Sequence, residues 1–166
     1  MPEKQTMERA EKAKRRGKST STQAGEFVRE EMHHIRQGKH GASSTKQAIA
    51  IGLSKARRAG VKLRPPKKGT VSERTRRSAK RAYEAGRSQK GQGQKSGRRA
   101  KAVQRALRRE GRSAASRKAL SRQARAAARK RTRASRSASA RRAARVKGAR
   151  GRSAAARKAA RTRARH

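Results

Sequence analysis

The clearest run of large apolar residues in the chain lies within residues 44–63. Ile49, Leu53 and Ala56 recur at i, i+4 and i+7, a spacing that places them on one stripe of an α-helix. Gly60 follows, and glycine readily adopts the left-handed conformation that ends a helix. The pattern therefore predicts a helix here and makes this stretch the candidate folded centre.

A second apolar stripe lies within residues 24–37. Its members recur at helical spacing, and they are Phe27, Val28, Met32 and Ile35. Gly38 closes the segment, and the short loop 38–43 favours packing of this helix against the helix of residues 44–63. Gly52 and nearby alanines would let the two backbones approach closely. A helical hairpin is therefore predicted.

A third helix is predicted after the boundary at Pro65 and Pro66, which bar helix continuation. Ala79, Ala82 and Tyr83 share one face of it. This face either completes a three-helix unit with the hairpin, or the helix docks on phosphate through its basic residues. The sequence leaves both readings open.

The sequence also predicts where two helices start and where further short helices lie. Ser44/Gln47 and Thr70/Glu73 have the spacing of capping boxes. Residues 1–16 predict a frayed charged helix, and residues 19–22 predict a linker. Two further short helices are expected downstream, one ending at Gly111 with Val103, Ala106 and Leu107, and one capped by Ser113 with Leu120.

The predicted fold class is mainly α, a small helical hairpin or three-helix module with long basic arms that are largely disordered or weakly helical. The predicted divisions are a charged N-terminal arm (1–23), the hairpin module (24–63), a Pro-bounded third helix (64–86), a Gly/Gln-rich linker (87–97) and an Arg/Ala/Ser-rich basic tail (98–166).

The charge of the chain is the strongest indication of its function. The net charge is +44 over 166 residues, and only 1% of residues are aromatic. Counts of Lys+Arg and Glu are 15 and 6 in residues 1–63, 17 and 3 in residues 64–110, and 21 and 0 in residues 111–166, so the net charge climbs from +9 to +14 to +21. A field of this sign concentrates polyanions, and nucleic acid is the expected partner.

Location is predicted from what the chain lacks. It has no cysteine, no apolar signal core and no apolar run near the roughly 18 residues of a membrane span. A cytoplasmic, nucleoid-associated protein is therefore expected, with no membrane span and no small-molecule substrate.

The string Thr45-Lys46-Gln47-Ala48-Ile49-Ala50-Ile51-Gly52-Leu53-Ser54-Lys55-Ala56-Arg57-Arg58-Ala59-Gly60 resembles a family of small basic bacterial proteins of uncharacterised function. Some members carry a loose plasmid-stabilisation or DNA-binding label. The resemblance implies no established site or mechanism. The tail is similar in composition to linker-histone tails.

The tail is a low-complexity segment in which arginine outnumbers lysine 17 to 4 from residue 111 onward. A nine-residue motif at 111–119 recurs at 151–159 with one change. Because like charges three or four residues apart repel, the tail is expected to be disordered or weakly helical alone and to gain helix when phosphate neutralises it. Arg150-Gly151-Arg152 either forms a minor-groove hook or makes generic backbone contacts.

The predicted nucleic-acid-binding residues are the tail cations Arg112, Arg117, Lys118, Arg122, Arg125, Arg129, Lys130, Arg131, Arg133, Arg136, Arg141, Arg142, Arg145, Arg150, Arg152, Arg157, Lys158 and Arg161. A secondary set lies in the predicted helices and comprises Lys46, Lys55, Arg57, Arg58, Arg76, Arg77, Lys80 and Arg81. The first four of these are expected to stay solvated.

Enzyme chemistry is not indicated, and no cofactor or metal is predicted. The chain has no aspartate, and its nine acidic residues are all glutamates on charged segments. Glu30 and Glu31 adjoin His33 and His34, a combination that suggests either a metal site or, as favoured here, a solvated helix face.

Three non-enzymatic functions compete. The favoured one is non-specific binding, neutralisation and bridging of duplex DNA in the manner of a histone-like protein, and the alternative is an RNA-binding or ribosome-associated protein. The scarcity of aromatic residues argues against base stacking. A membrane-active protein would need a wide apolar helix face. Self-association through residues 24–63 is a further possibility.

Overall fold

The computed structural model describes residues 2–88 and 97–164, and this part of the chain contains helices and no strand. The helices are α1 (Lys4–Arg15), α2 (Thr20–Arg36), α3 (Thr45–Arg58), α4 (Glu73–Ala85), α5 (Gly97–Arg109), α6 (Arg117–Arg129) and α7 (Arg133–Arg163), with a short 3-10 turn at Ser113–Ala115. The mainly α fold class is confirmed. The chain divides into two compact units, Met1–Gln123 and Ala124–His166.

The α2–α3 hairpin is the centre of the first unit. Phe27 and Ile35 of α2 are 1% and 0% exposed, and Ala48 and Ala56 of α3 are both fully buried. Gly52 lets the helices touch, since a Cβ there would stand 2.7 Å from the Cα of Val28. The predicted hairpin is therefore confirmed. Of the predicted α3 stripe, Ala56 is buried, whereas Ile49 and Leu53 are half-buried and pack against the edge of the core.

Two further helices complete this core. Helix α4 packs on α3 and buries Ala79 and Ala82, which confirms the packing alternative for the third helix. Helix α1 packs on α2, where Thr6 and Ala10 are buried. The first unit thus has a core of alanines around a few large side chains, to which α1, α2, α3 and α4 contribute buried residues.

Several predicted helix boundaries are wrong. Residues 19–22 are not a linker, because Ser19 caps α2 by accepting the Thr22 amide at 3.3 Å. The cap of α4 is Ser72 rather than Thr70, and the cap of α6 is Ser116 rather than Ser113. In each case the observed cap is a serine whose hydroxyl accepts an amide of the first turn.

The Ser44 capping box forms only in part. Ser44 Oγ accepts the Gln47 amide at 3.2 Å as predicted. The Gln47 side chain, however, accepts from the backbone N–H of Ser43 at 2.7 Å instead of from Ser44. The helix begins where the sequence predicts, but the hydrogen bond to the Gln47 side chain comes from the backbone of Ser43, one residue before the predicted donor.

Residues 107–115 join the first unit through the loop that follows α2. The Gly41 amide donates to the Leu107 carbonyl at 2.8 Å. Thr45 Oγ1 donates to the Ala114 carbonyl at 2.7 Å, and Ala115 is fully buried. The basic tail predicted from residue 98 therefore contributes to the packing of the first unit, whose core of helices α1 to α4 is called the head below.

The second unit contains α7 and the end of α6. No residue of α7 is buried, and the helix is broken at Gly148, whose φ of 65° lies in the left-handed region. Of the predicted linker 87–97, residues 89–96 lie outside the described part of the chain.

Candidate nucleic-acid interface

The tail cations form the candidate interface, and every one that the sequence selects, from Arg112 to Arg161, is exposed. Residues 111–166 contain no acidic residue. Within the described residues, no ion pair involves a cation after residue 111. The tail therefore presents positive charge that only a partner or solvent ions can neutralise.

The contacts that tail arginines do make are to neutral oxygens nearby. Arg141 donates to the Ser137 hydroxyl at 2.9 Å, and Arg131 donates to the Ser135 carbonyl at 3.0 Å. Such exposed hydrogen bonds exchange readily with water or phosphate, because each is worth only about 1 kcal/mol net. They arrange the guanidinium groups without holding them away from an anion.

The Arg150-Gly151-Arg152 segment lies inside α7, in helical conformation. Arg152 donates from Nη1 to the Ala144 carbonyl at 2.9 Å, across the break at Gly148. In this conformation the two arginines belong to a helix surface rather than to an extended hook.

A second positive surface lies on the head, between the end of α3 and α4. Arg58, Arg74 and Arg81 line one groove together with Ser78. Arg74 is not among the nucleic-acid-binding residues predicted from the sequence. Arg74, Ser78 and Arg81 nevertheless have the i, i+4, i+7 spacing of a single helix face. The same periodic reading that found the apolar stripes would have found this basic one.

The other secondary cations differ in availability. Lys46 and Arg77 are exposed. Arg76 makes a fork-like pair with Glu73, with Nη2 2.7 Å from Oε1 and Nε 2.9 Å from Oε2. These hydrogen bonds lower the pKa of Glu73 and raise the pKa of Arg76. Lys80 Nζ lies 3.8 Å from a carboxylate oxygen of Glu84.

Of the four cations expected to stay solvated, Arg58 is half-buried, and Arg57 and Lys55 are bound within the head. Arg57 is 7% exposed and donates from Nε to the Leu63 carbonyl at 3.2 Å. Burial lowers the pKa of Arg57, because the charged form loses hydration. Lys55 is 24% exposed, and its Nζ lies 2.7 Å from Oε2 of Glu31. Both cations serve the head's own packing.

The expected solvated face around Glu30 and Glu31 is also wrong. The side chains of Glu30 and Glu31 are 1% and 0% exposed, and that of His34 is 12% exposed. Glu3 joins them from the N-terminal end of α1, and His40 joins from the loop after α2. The sequence signal for this acidic-histidine cluster was the Glu31–His34 spacing of i, i+3, which puts both on one helix face.

The pairing of His34 with Glu3 sets the charge at the edge of this cluster. His34 Nε2 lies 2.7 Å from Glu3 Oε1, and Lys39 Nζ lies 3.3 Å from the same oxygen. The hydrogen bond from His34, with that from Lys39 second, lowers the pKa of Glu3. Glu3 thus ties the start of α1 to α2.

None of the described helices is long and apolar enough to cross a membrane.

Comparison with known protein families gives a match over part of the chain. Residues 13–68 match the family described as "Family of unknown function (DUF6496)". The matched segment runs from the end of α1 through α2 and α3 to the stretch after Pro66. The match confirms that this segment resembles a family of uncharacterised function. No curated protein and no solved structure matches the chain.

Proposed function

We propose that this protein binds duplex DNA without sequence specificity, through contacts of its tail cations with backbone phosphates. The observation that carries the proposal is the exposed set of tail arginines and lysines, which has no carboxylate partner in the described chain. Guanidinium groups bind phosphate bidentately, and arginine is the predominant cation here.

Counterion release supplies the driving force. Each phosphate contact releases condensed counterions from duplex DNA, and the observed slope of log K against log salt is about −0.9 per contact. Even ten contacts would bind tightly at low salt and weakly after a severalfold increase in salt. Bound phosphates also remove the like-charge repulsion along α6 and α7, so binding stabilises these helices.

The head has a smaller role in this proposal. Its arginine-lined groove at Arg58, Arg74 and Arg81 adds phosphate contacts. A protein of this kind neutralises and bridges DNA segments in a histone-like way, in association with the nucleoid or a plasmid.

A salt titration of the full chain tests the proposal. Affinity for a duplex of mixed sequence is measured over a salt series, for the unchanged protein and for a variant with Arg141→Gln, Arg142→Gln and Arg145→Gln. The variant should lose slope by up to about 2.7 if all three residues contact phosphate. The matched control carries lysine at the same three positions and should keep the slope, because the charge is retained. Affinity independent of salt would overturn the proposal.

RNA is the competing ligand class. Its recognition by sequence usually needs exposed aromatic platforms. Phe27 is buried, and Tyr83 is half-buried with the Arg87 guanidinium 5.7 Å from its ring centroid. A competition between duplex DNA and structured RNA at fixed salt separates the two ligands. Preferential displacement by RNA would replace DNA with RNA in the proposal.

A further inference from the structure

The acidic-histidine cluster of the head brings together groups that can hold a metal ion. One ligand atom each from Glu31, His34 and His40 lies within 4.8 Å of the other two. His40 Nε2 is 3.2 Å from Glu31 Oε1. In a tetrahedral zinc site with bonds of about 2.0 to 2.1 Å, neighbouring ligand atoms are about 3.3 Å apart. The pair already has nearly that separation.

The carboxylates of the cluster have unused acceptor capacity. Both side-chain oxygens of Glu31 and Oε2 of Glu30 are buried and accept no hydrogen bond. Lys55 Nζ lies 2.7 Å from Glu31 Oε2 and compensates the charge on that oxygen, so Oε1, which faces His40, is the Glu31 oxygen left without a cation. Buried carboxylate oxygens of this kind are costly unless a cation or a donor occupies the space before them.

The tautomer of His40 also favours a cation between His40 and Glu31. Its Nδ1 lies 3.0 Å from the Gly41 carbonyl, which can only accept, so Nδ1 carries the proton. The other nitrogen, Nε2, faces Glu31 Oε1. In a neutral imidazole this leaves a lone pair opposite a carboxylate, which is repulsive unless a cation lies between them. A backbone carbonyl that fixes the far nitrogen is the usual support for a metal-binding histidine.

We propose that Glu31, His34 and His40 bind a divalent transition-metal ion of the Zn²⁺ type, with water completing the coordination. Two imidazoles and one carboxylate favour zinc over Mg²⁺ or Ca²⁺, which prefer oxygen ligands. Lys55 keeps its contact with Glu31 Oε2. His34 either binds the ion through the ring nitrogen that does not bond Glu3 or gives up its 2.7 Å bond from Nε2 to Glu3 Oε1. The ion joins α2 to the loop after it and so stabilises the head.

Protons and metal compete for this site. The charged groups that face the ligands are Glu3, Glu30, Lys39 and Lys55. With both histidines neutral, the three glutamates and two lysines sum to a charge of −1. Either two imidazole protons or one dication raises that sum to +1. Metal affinity should therefore fall on acidification, because histidine must be deprotonated to bind the ion.

Zinc titration of the full chain by calorimetry, without nucleic acid, tests the proposal independently of DNA binding. The unchanged protein should bind one Zn²⁺ and melt at higher temperature with Zn²⁺ than with EDTA. His40→Gln and His34→Gln should each weaken binding at least about tenfold. The control is His33→Gln, since His33 is exposed and bonded only to Gln37.

Two results would overturn the inference. One is no Zn²⁺ binding by the unchanged protein. The other is an equal loss of affinity in the His33 and His40 variants, which would indicate adventitious surface binding. If Glu31→Gln unfolds the head because Lys55 is left without its carboxylate, the histidine variants still decide the question. Far-UV circular dichroism verifies that each variant is folded.

Discussion

Gly52 of α3 lies against Val28 of α2 so closely that a Cβ on the glycine would stand 2.7 Å from the Val28 Cα. The nearest atoms are backbone, which cannot rotate away as a side chain can. Gly52→Ala should therefore separate the helices and destabilise the head by about 1 to 3 kcal/mol, as overpacking does elsewhere. Thermal or urea unfolding of the full chain, followed by circular dichroism, measures the change.

Gly25→Ala is the matched control for that substitution. Gly25 is also inside a helix, α2, but it is exposed and a Cβ there would meet nothing within 4 Å. Because alanine has the higher helix propensity, this variant should be stabilised by about 0.5 to 1 kcal/mol. Stabilisation by both substitutions would refute the close crossing of α2 and α3.

Thr45 anchors the 3-10 turn at Ser113–Ala115 through its 2.7 Å bond to the buried Ala114 carbonyl. Thr45→Val keeps the side-chain shape and leaves the carbonyl without its donor, at a cost of about 1 to 3 kcal/mol. Hydrogen exchange should accelerate at Ala115 and Ser116, whose amides bond within this turn. Thr162→Val, at an exposed site where the hydroxyl bonds the Lys158 carbonyl of the same helix, should leave that exchange unchanged.

Arg57 and Arg58 are sequence neighbours with opposite expected effects. Arg57→Gln removes a buried cation that bonds the Leu63 carbonyl, so it should lower head stability by about 1 to 3 kcal/mol and leave the salt dependence of DNA binding intact. Arg58→Gln removes a cation from the basic groove, so it should leave stability nearly unchanged and reduce the salt slope by up to about 0.9. Unfolding curves and salt titrations of both variants would show whether these roles are reversed.

The lowered pKa of Glu3 predicts an acid-sensitive contribution to stability. A depressed carboxyl pKa stabilises the fold above the pKa of the unfolded chain, and this stabilisation is lost as pH falls through the folded-state value. Glu3→Gln should therefore melt earlier than the unchanged protein at pH 6 and no earlier near pH 2. Glu8→Gln on α1, which has no ion pair in the described structure, is the control. A Glu3 effect that persisted undiminished at pH 2 would contradict the electrostatic origin.

The sequence predicted α2 and α3 because each has a regular apolar stripe. Val28, Met32 and Ile35 share a face of α2, and Ile49, Leu53 and Ala56 share a face of α3, as their spacing required. Glycines 38 and 60 end these helices with φ of 76° and 86°. Such signals are local, so no knowledge of distant contacts is needed to read them.

Burial of charged residues was not predictable in this way. Glu31 and Arg57 lie in segments rich in charge, and both are buried because residues far along the chain surround them. Lys55 and His40 reach Glu31 from α3 and from the loop after α2. The candidate metal site therefore exists only in the tertiary structure, while the candidate nucleic-acid interface is readable from charge alone.

The motif that occurs at 111–119 and again at 151–159 separates what the sequence determines from what the tertiary structure determines. By itself, the sequence determined that residues 111–119 and 151–159 are nearly the same basic, alanine-rich segment, and it determined the charge of both. Tertiary structure decided that the first copy bends into a 3-10 turn and buries Ala114 and Ala115, while the second lies in α7 with no buried residue. The physical reason is that Thr45 and Arg36 donate to the carbonyls of the first copy and hold it in the turn.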